Sequence, residues 1–102
     1  MSGNSLLKGL KPTHPGEFLR KDVLPALDIP KTEIAKRLGI SRAMLYAILD
    51  ERAPVSPAMA LRLGKLFGTT AESWLNMQRD YDLRMLEKSM STELDEIDPV
   101  AA

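Results

Sequence analysis

The chain has 102 residues, 44% of them hydrophobic and 27% charged, which suits one ordinary domain that folds instead of staying disordered. With no Cys and a single His, it excludes zinc fingers, iron–sulfur sites, thiol nucleophiles and a disulfide framework, and no cofactor or resident metal is expected. Net charge is zero, yet residues 1–67 carry eleven Lys/Arg against six Asp/Glu, and residues 68–102 carry three against eight. A basic front can follow a polyanion, while an acidic rear repels one or meets a basic protein. The opening MSGNSLLKGLKPTHPGE lacks the apolar core of a signal peptide, and no apolar run approaches ~18 residues. A cytoplasmic protein that does not touch a membrane is the expectation.

Apolar residues recur at three- and four-residue spacing and hardly ever alternate, so the fold class is all-α with five helices. Residues 1–13 are expected to form a flexible arm. The first helix opens at Pro15 and buries Phe18, Leu19, Val23 and Leu27; Pro25 has no N–H to donate and should kink or loosen it. A second helix begins near Pro30 or Lys31 and is stopped by Gly39. Ser41 caps a third, from Arg42 to about Asp50, whose apolar members are Met44, Leu45, Ile48 and Leu49. Ser56 and Pro57 open a fourth, with Met59, Ala60, Leu63 and Leu66, which ends at Gly68.

The fifth helix starts from a cap at Thr69 or Thr70 and runs to about residue 87. Its stripe is Trp74, Met77, Tyr81 and Met85, a pattern that fits core or dimer packing. Residues 88–102 contain STELDEIDPVAA, four acids with no base and a Pro, and are expected to form a disordered acidic tail.

The segment Lys31–Leu49 carries the functional signal. Ile34, Leu38, Ile40, Leu45 and Ile48 hold five aliphatic positions, Ala35 offers a small residue where two helices cross, and Gly39 tolerates positive φ in the turn. That spacing is a helix-turn-helix. An ordinary helical bundle also has aliphatic stripes, but it does not require Ser41 followed by an outward face of Arg42, Ala43, Tyr46 and Ala47. In a helix-turn-helix this face enters the DNA major groove, its N-terminal residues nearest the base edges. Arg42 can pair with guanine O6 and N7, Ala43 can touch a thymine methyl, and Tyr46 can reach a base or a phosphate. Ser41, Lys31, Thr32 and Arg52 flank the face and suit phosphate contacts.

Other constellations carry less. His14 precedes Pro15 with no second His or Cys to form a site, which favours a capping or turn role. Asp80, Asp82 and Glu87 do not converge on a helix and read as solvated-face charges. There is no glycine-rich phosphate loop, and no enzyme is expected.

Three stretches, HPGEFL (14–19), IAKRLGISRAMLYAIL (34–49) and VSPAMALRLGKLFGTTAESWLNMQRDYDLR (55–84), resemble the HigA-type (VapI-like) antitoxins of the phage-repressor-like, or XRE, helix-turn-helix class. The resemblance spans about residues 14–87 and implies one DNA-binding domain, with the helix-turn-helix at 31–49 and a dimerisation helix at about 70–87. It implies DNA-reading positions Ser41, Arg42, Ala43 and Tyr46, and a homodimer built on the fifth helix, where Trp74, Met77, Tyr81 and Met85 lie. It further implies repression of the chain's own operon through a palindromic operator, and a partner toxin: a small basic RelE-like mRNA endonuclease of the HigB kind. No small-molecule ligand is implied. The rival readings are a stand-alone repressor without a toxin, and a protein-interaction module that keeps the helix-turn-helix as scaffold.

Overall fold

A computed structural model describes residues 12–100, whose regular elements are all helical with no strand among them. The chain enters helix α1 (Pro15–Phe18) from His14, whose imidazole Nδ1 accepts the Gly16 N–H at 2.9 Å. The helix then widens into a π-helical turn, Leu19–Val23, and tightens into a 3₁₀ turn, Leu24–Ala26. Pro25 sits inside that 3₁₀ turn, and the helix departs from α geometry on its approach to this residue without an N–H: it loosens in the π-helical turn before Pro25 and tightens at Pro25 itself.

Helix α2 (Lys31–Leu38) follows Pro30 and ends at Gly39, whose φ of 74° is the left-handed cap conformation. Helix α3 (Arg42–Leu49) is capped by Ser41, which accepts the Met44 N–H at 3.0 Å. Helix α4 (Pro57–Phe67) is capped by Ser56 and stopped by Gly68 at φ 70°. Helix α5 (Ala71–Ser89) is capped by Thr70. Thr69, the rival cap, instead accepts the Trp74 indole N–H at 2.8 Å.

Among the described residues the five expected helices are joined by a sixth. Residues 88–102 were expected to be disordered, but α5 runs on to Ser89 and Ser91–Asp95 form a short helix, α6. The Leu94 N–H bonds back to the Met90 carbonyl, so the helical hydrogen-bond run restarts after Met90. All of α6 is exposed, and no helix among the described residues is long and apolar enough to cross a membrane.

The core lies where α1, α2, α3, α4 and the first half of α5 meet. Leu19, Ile34, Ala35, Leu38, Leu45, Ile48, Leu49, Leu63 and Trp74 are buried together there. Of the seven helix-turn-helix positions, Ile34, Ala35, Leu38, Leu45 and Ile48 are buried, Ile40 is half-buried, and Gly39 takes the turn. Phe18 and Phe67 flank the Trp74 indole, with ring centroids 5.9 and 6.2 Å away. Trp74 therefore closes its own protomer's core.

Candidate nucleic-acid interface

Helix α3 buries Leu45, Ile48 and Leu49 and turns Arg42, Ala43, Met44 and Tyr46 to solvent. Arg42, Ala43 and Tyr46 are exposed, as are Ser41 at its cap and Lys31 and Thr32 at the start of α2. The structure brings two of these together: the Lys31 ammonium lies 5.8 Å from the Tyr46 ring centroid, a cation–π contact between the two helices. Arg52 is also exposed, but its guanidinium is engaged by Asp50 at 3.3 Å. Ala47, expected to face outward, is half-buried. Met44, one of the apolar members of this helix in the sequence reading, is exposed.

The helix is fixed at both ends. At its start, the Ser41 cap satisfies the Met44 N–H. At its end, Glu51 adopts a left-handed φ of 63°. The Arg20 guanidinium donates to the Leu49 carbonyl and reaches the Glu51 carboxylate at 3.3 Å. One cation from the π-helical turn thus satisfies an orphan carbonyl of α3 and holds its strained C-terminal corner. The following loop is tied to α5, because Gln78 Oε1 accepts the Val55 N–H at 2.8 Å while its amide donates to Asp82 at 3.0 Å. Arg62 from α4 does the same for the other helix, donating to the Leu38 carbonyl at 2.8 Å.

Sequence reading missed Arg20, Arg62 and Gln78. Their main-chain partners lie 23 to 29 residues away, so no local spacing marks them.

His14, Glu51, Arg52, Ala53, Pro54, Gln78, Tyr81 and Asp82 line an open cleft of about 310 Å³ at the loop that follows α3. The Tyr81 ring meets the His14 ring edge-on, with centroids 4.9 Å apart. Burial pushes the His14 pKa below its ordinary value, and outweighs the opposing pull of the Glu51 and Asp82 carboxylates. A neutral ring is what the cap needs, since Nδ1 must accept. The four residues of the expected dimer stripe are divided: Trp74 is in the core, Met77 and Tyr81 are half-buried, and Met85 is exposed. Among the described residues no group of His, Cys, Asp and Glu is arranged to hold a metal ion.

Two helices packed with Ala35 buried in the core, a glycine turn and an outward helix with clamped ends define a helix-turn-helix DNA-binding domain. No family model matches the chain. It is 39% identical over 93 residues to the HTH-type transcriptional regulator YbaQ of Escherichia coli (strain K12), covering 89% of this chain and 82% of that one. It is 41% identical over 75 residues to virulence-associated protein I of Dichelobacter nodosus, covering 74% and 69%. The Pseudomonas aeruginosa antitoxin HigA, solved with the higBA promoter, superposes with a TM-score of 0.83 at 35% identity, covering 88% of this chain and 99% of that one. This chain belongs to the HigA-type (VapI-like) antitoxin family of the XRE helix-turn-helix class.

Proposed function

We propose that the protein is the antitoxin of a type II toxin–antitoxin module, acting in the cytoplasm as a sequence-specific repressor of its own operon. The observation that carries this reading is the outward face of α3, held at both ends in the fold of an antitoxin solved with its promoter. In this reading Arg42 and Ala43 read base edges, with Arg42 taking guanine O6 and N7. Ser41, Lys31 and Thr32 hold the phosphate backbone, and Tyr46 reaches a base or a phosphate beside Lys31. Arg52 joins them once a phosphate displaces Asp50. Residues 14–87 make up the DNA-binding domain; the proposed arm, residues 1–13, falls outside the described residues as far as residue 11.

One recognition helix covers only a few base pairs, so the protein acts as a homodimer on a near-palindrome with half-sites about one helical turn (~34 Å) apart. The second copy docks on the C-terminal half of α5, where large apolar side chains are left exposed. The partner toxin is a small basic RelE-like endonuclease, a charge match for residues 68–102.

The test is a selection of the purified protein against random-sequence duplexes at about physiological salt, where non-specific affinity is weak. Enrichment of a near-palindrome that recurs upstream of the gene supports repression, and no enrichment rejects it. Co-expression with a neighbouring basic open reading frame separates antitoxin from stand-alone repressor: rescue of growth and a co-purifying complex support the first, their absence the second.

A further inference from the structure

We propose that Met44 reads sequence, packing its thioether against the 5-methyl group of a thymine in each half-site. The inference rests on the DNA-binding reading above and adds to it a residue and a base chemistry.

The neighbours of Met44 show why its position is informative. It is 43% exposed, while Leu45 and Ile48, one and four residues further on, are 2% and 1% exposed. With about 100° per residue, Leu45, Ile48 and Leu49 define the buried side of α3, and Ala43 and Ala47 lie opposite them. Arg42 and Tyr46 occupy one flank of that outward face, with Tyr46 against Lys31. Met44 occupies the other flank. It is the third residue of the helix, in the first turn, which is the end a helix-turn-helix brings nearest the base edges. Its backbone is pinned there by the Ser41 cap at 3.0 Å.

Chemistry then selects the target. The thioether donates no hydrogen bond and accepts only weakly, so its useful contact is apolar. The thymine 5-methyl is the apolar group that a base pair displays in the major groove. Ala43, exposed at the centre of the face, is small enough for the first turn of the helix to seat deeply, while Ala47 one turn on is half-buried. A long, flexible Met on the flank can then fill the gap against the groove wall. The two flanks divide the work: Arg42 on one seeks a guanine, and Met44 on the other seeks a thymine.

The experiment uses the full chain and the duplex that it enriches from a random-sequence library. Thymines of that duplex are replaced singly by deoxyuridine, which removes only the methyl, and affinity is measured for the wild type and for Met44→Ala. At one thymine per half-site the wild type is expected to lose about fourfold, the factor that burial of one methyl corresponds to. Met44→Ala is expected to bind the thymine and uracil duplexes equally at that position. If no replacement weakens the wild type, or if every effect persists undiminished in Met44→Ala, the assignment to Met44 is overturned. Persistent effects would then belong to Ala43. If the wild type enriches no duplex at all, the DNA-binding reading fails first, and the two failures are distinct. The replacement series on the wild-type protein needs no variant to fold.

Discussion

Gly16 lies directly against the Ile48 carbonyl, so closely that a Cβ built on it would sit 1.8 Å from that oxygen. The backbone of α1 is therefore the seat on which the last turn of the recognition helix rests. A second glycine, Gly68, has a positive φ of 70° but open space around the position a Cβ would take. The two alanine substitutions thus separate crowding from backbone strain. Gly68→Ala should cost ~1–2 kcal/mol for the left-handed conformation alone. Gly16→Ala meets main chain that cannot swing aside, and its cost should be at or above the upper end of the ~1–3 kcal/mol seen for overpacked cores. Urea melts of both variants check the order. A Gly16→Ala protein as stable as Gly68→Ala would mean that α3 does not rest on α1.

Arg42 is exposed at the first position of α3, with no ion pair among the described residues. Arg42→Ala should leave the melting curve unchanged. It should remove ~1–3 kcal/mol of discrimination at one guanine position in each half-site. Titrations against the selected duplex and against a duplex altered at that guanine measure both effects. Full-strength binding with an unaltered sequence preference would take Arg42 out of the site.

His14 links stability to pH. Its folded-state pKa is held below the ordinary 6.5, first by burial; Arg20 adds to the lowering, while Glu51, Asp82 and Glu17 oppose it. The unfolded chain therefore takes up the proton first as pH falls. The stabilisation is complete above about pH 6.5 and is lost as pH falls through the lower folded value, where Nδ1 ceases to accept the Gly16 N–H. The urea midpoint should accordingly drop between about pH 8 and about pH 5. His14→Asn keeps a capping acceptor without a titrating ring. It should be less stable at the upper pH, having lost the Tyr81 ring contact, yet show a shallower pH dependence. Parallel pH profiles for the two proteins would remove His14 as the source.

Local chemistry made much of this fold legible. Gly39 and Gly68 adopt the positive φ that their positions after apolar periods require, and Ser41 and Ser56 cap the helices that they precede. The capping role favoured for His14 also has its hydrogen bond. Periodicity was weakest where apolar residues crowd a short helix. Four of the eight residues in α3 are large aliphatics or Met, and only three find the core; Met44 falls on the flank. The supports of the recognition helix were not legible, because Arg20, Gln78 and Arg62 act on main-chain groups from distant elements. Nothing in their own segments distinguishes them from surface polar residues.

The proposed dimer surface meets the same limit, because a helical stripe does not reveal where the chain's own core ends. Trp74 is consumed by Phe18 and Phe67, and Tyr81 by His14. Leu83 lies half a helical turn around α5 from Trp74 and is 44% exposed; Leu86 and Met90 continue its line, at three and seven residues beyond it. An apolar line at that spacing suits packing against a second copy of the helix. If the proposed dimer forms through this line, Leu86→Asp should be a monomer by light scattering that still unfolds cooperatively, since Leu86 is not part of the core. Its melting temperature should fall only by what association contributes. Affinity for the palindromic duplex should fall steeply, because two half-sites would no longer be engaged as one unit. Met85→Asp is the companion variant, since Met85 lies on the Trp74 side of the helix. Dissociation by Met85→Asp with an intact Leu86→Asp dimer would place the interface on the stripe that begins at Trp74, and the reverse outcome on the line through Leu83.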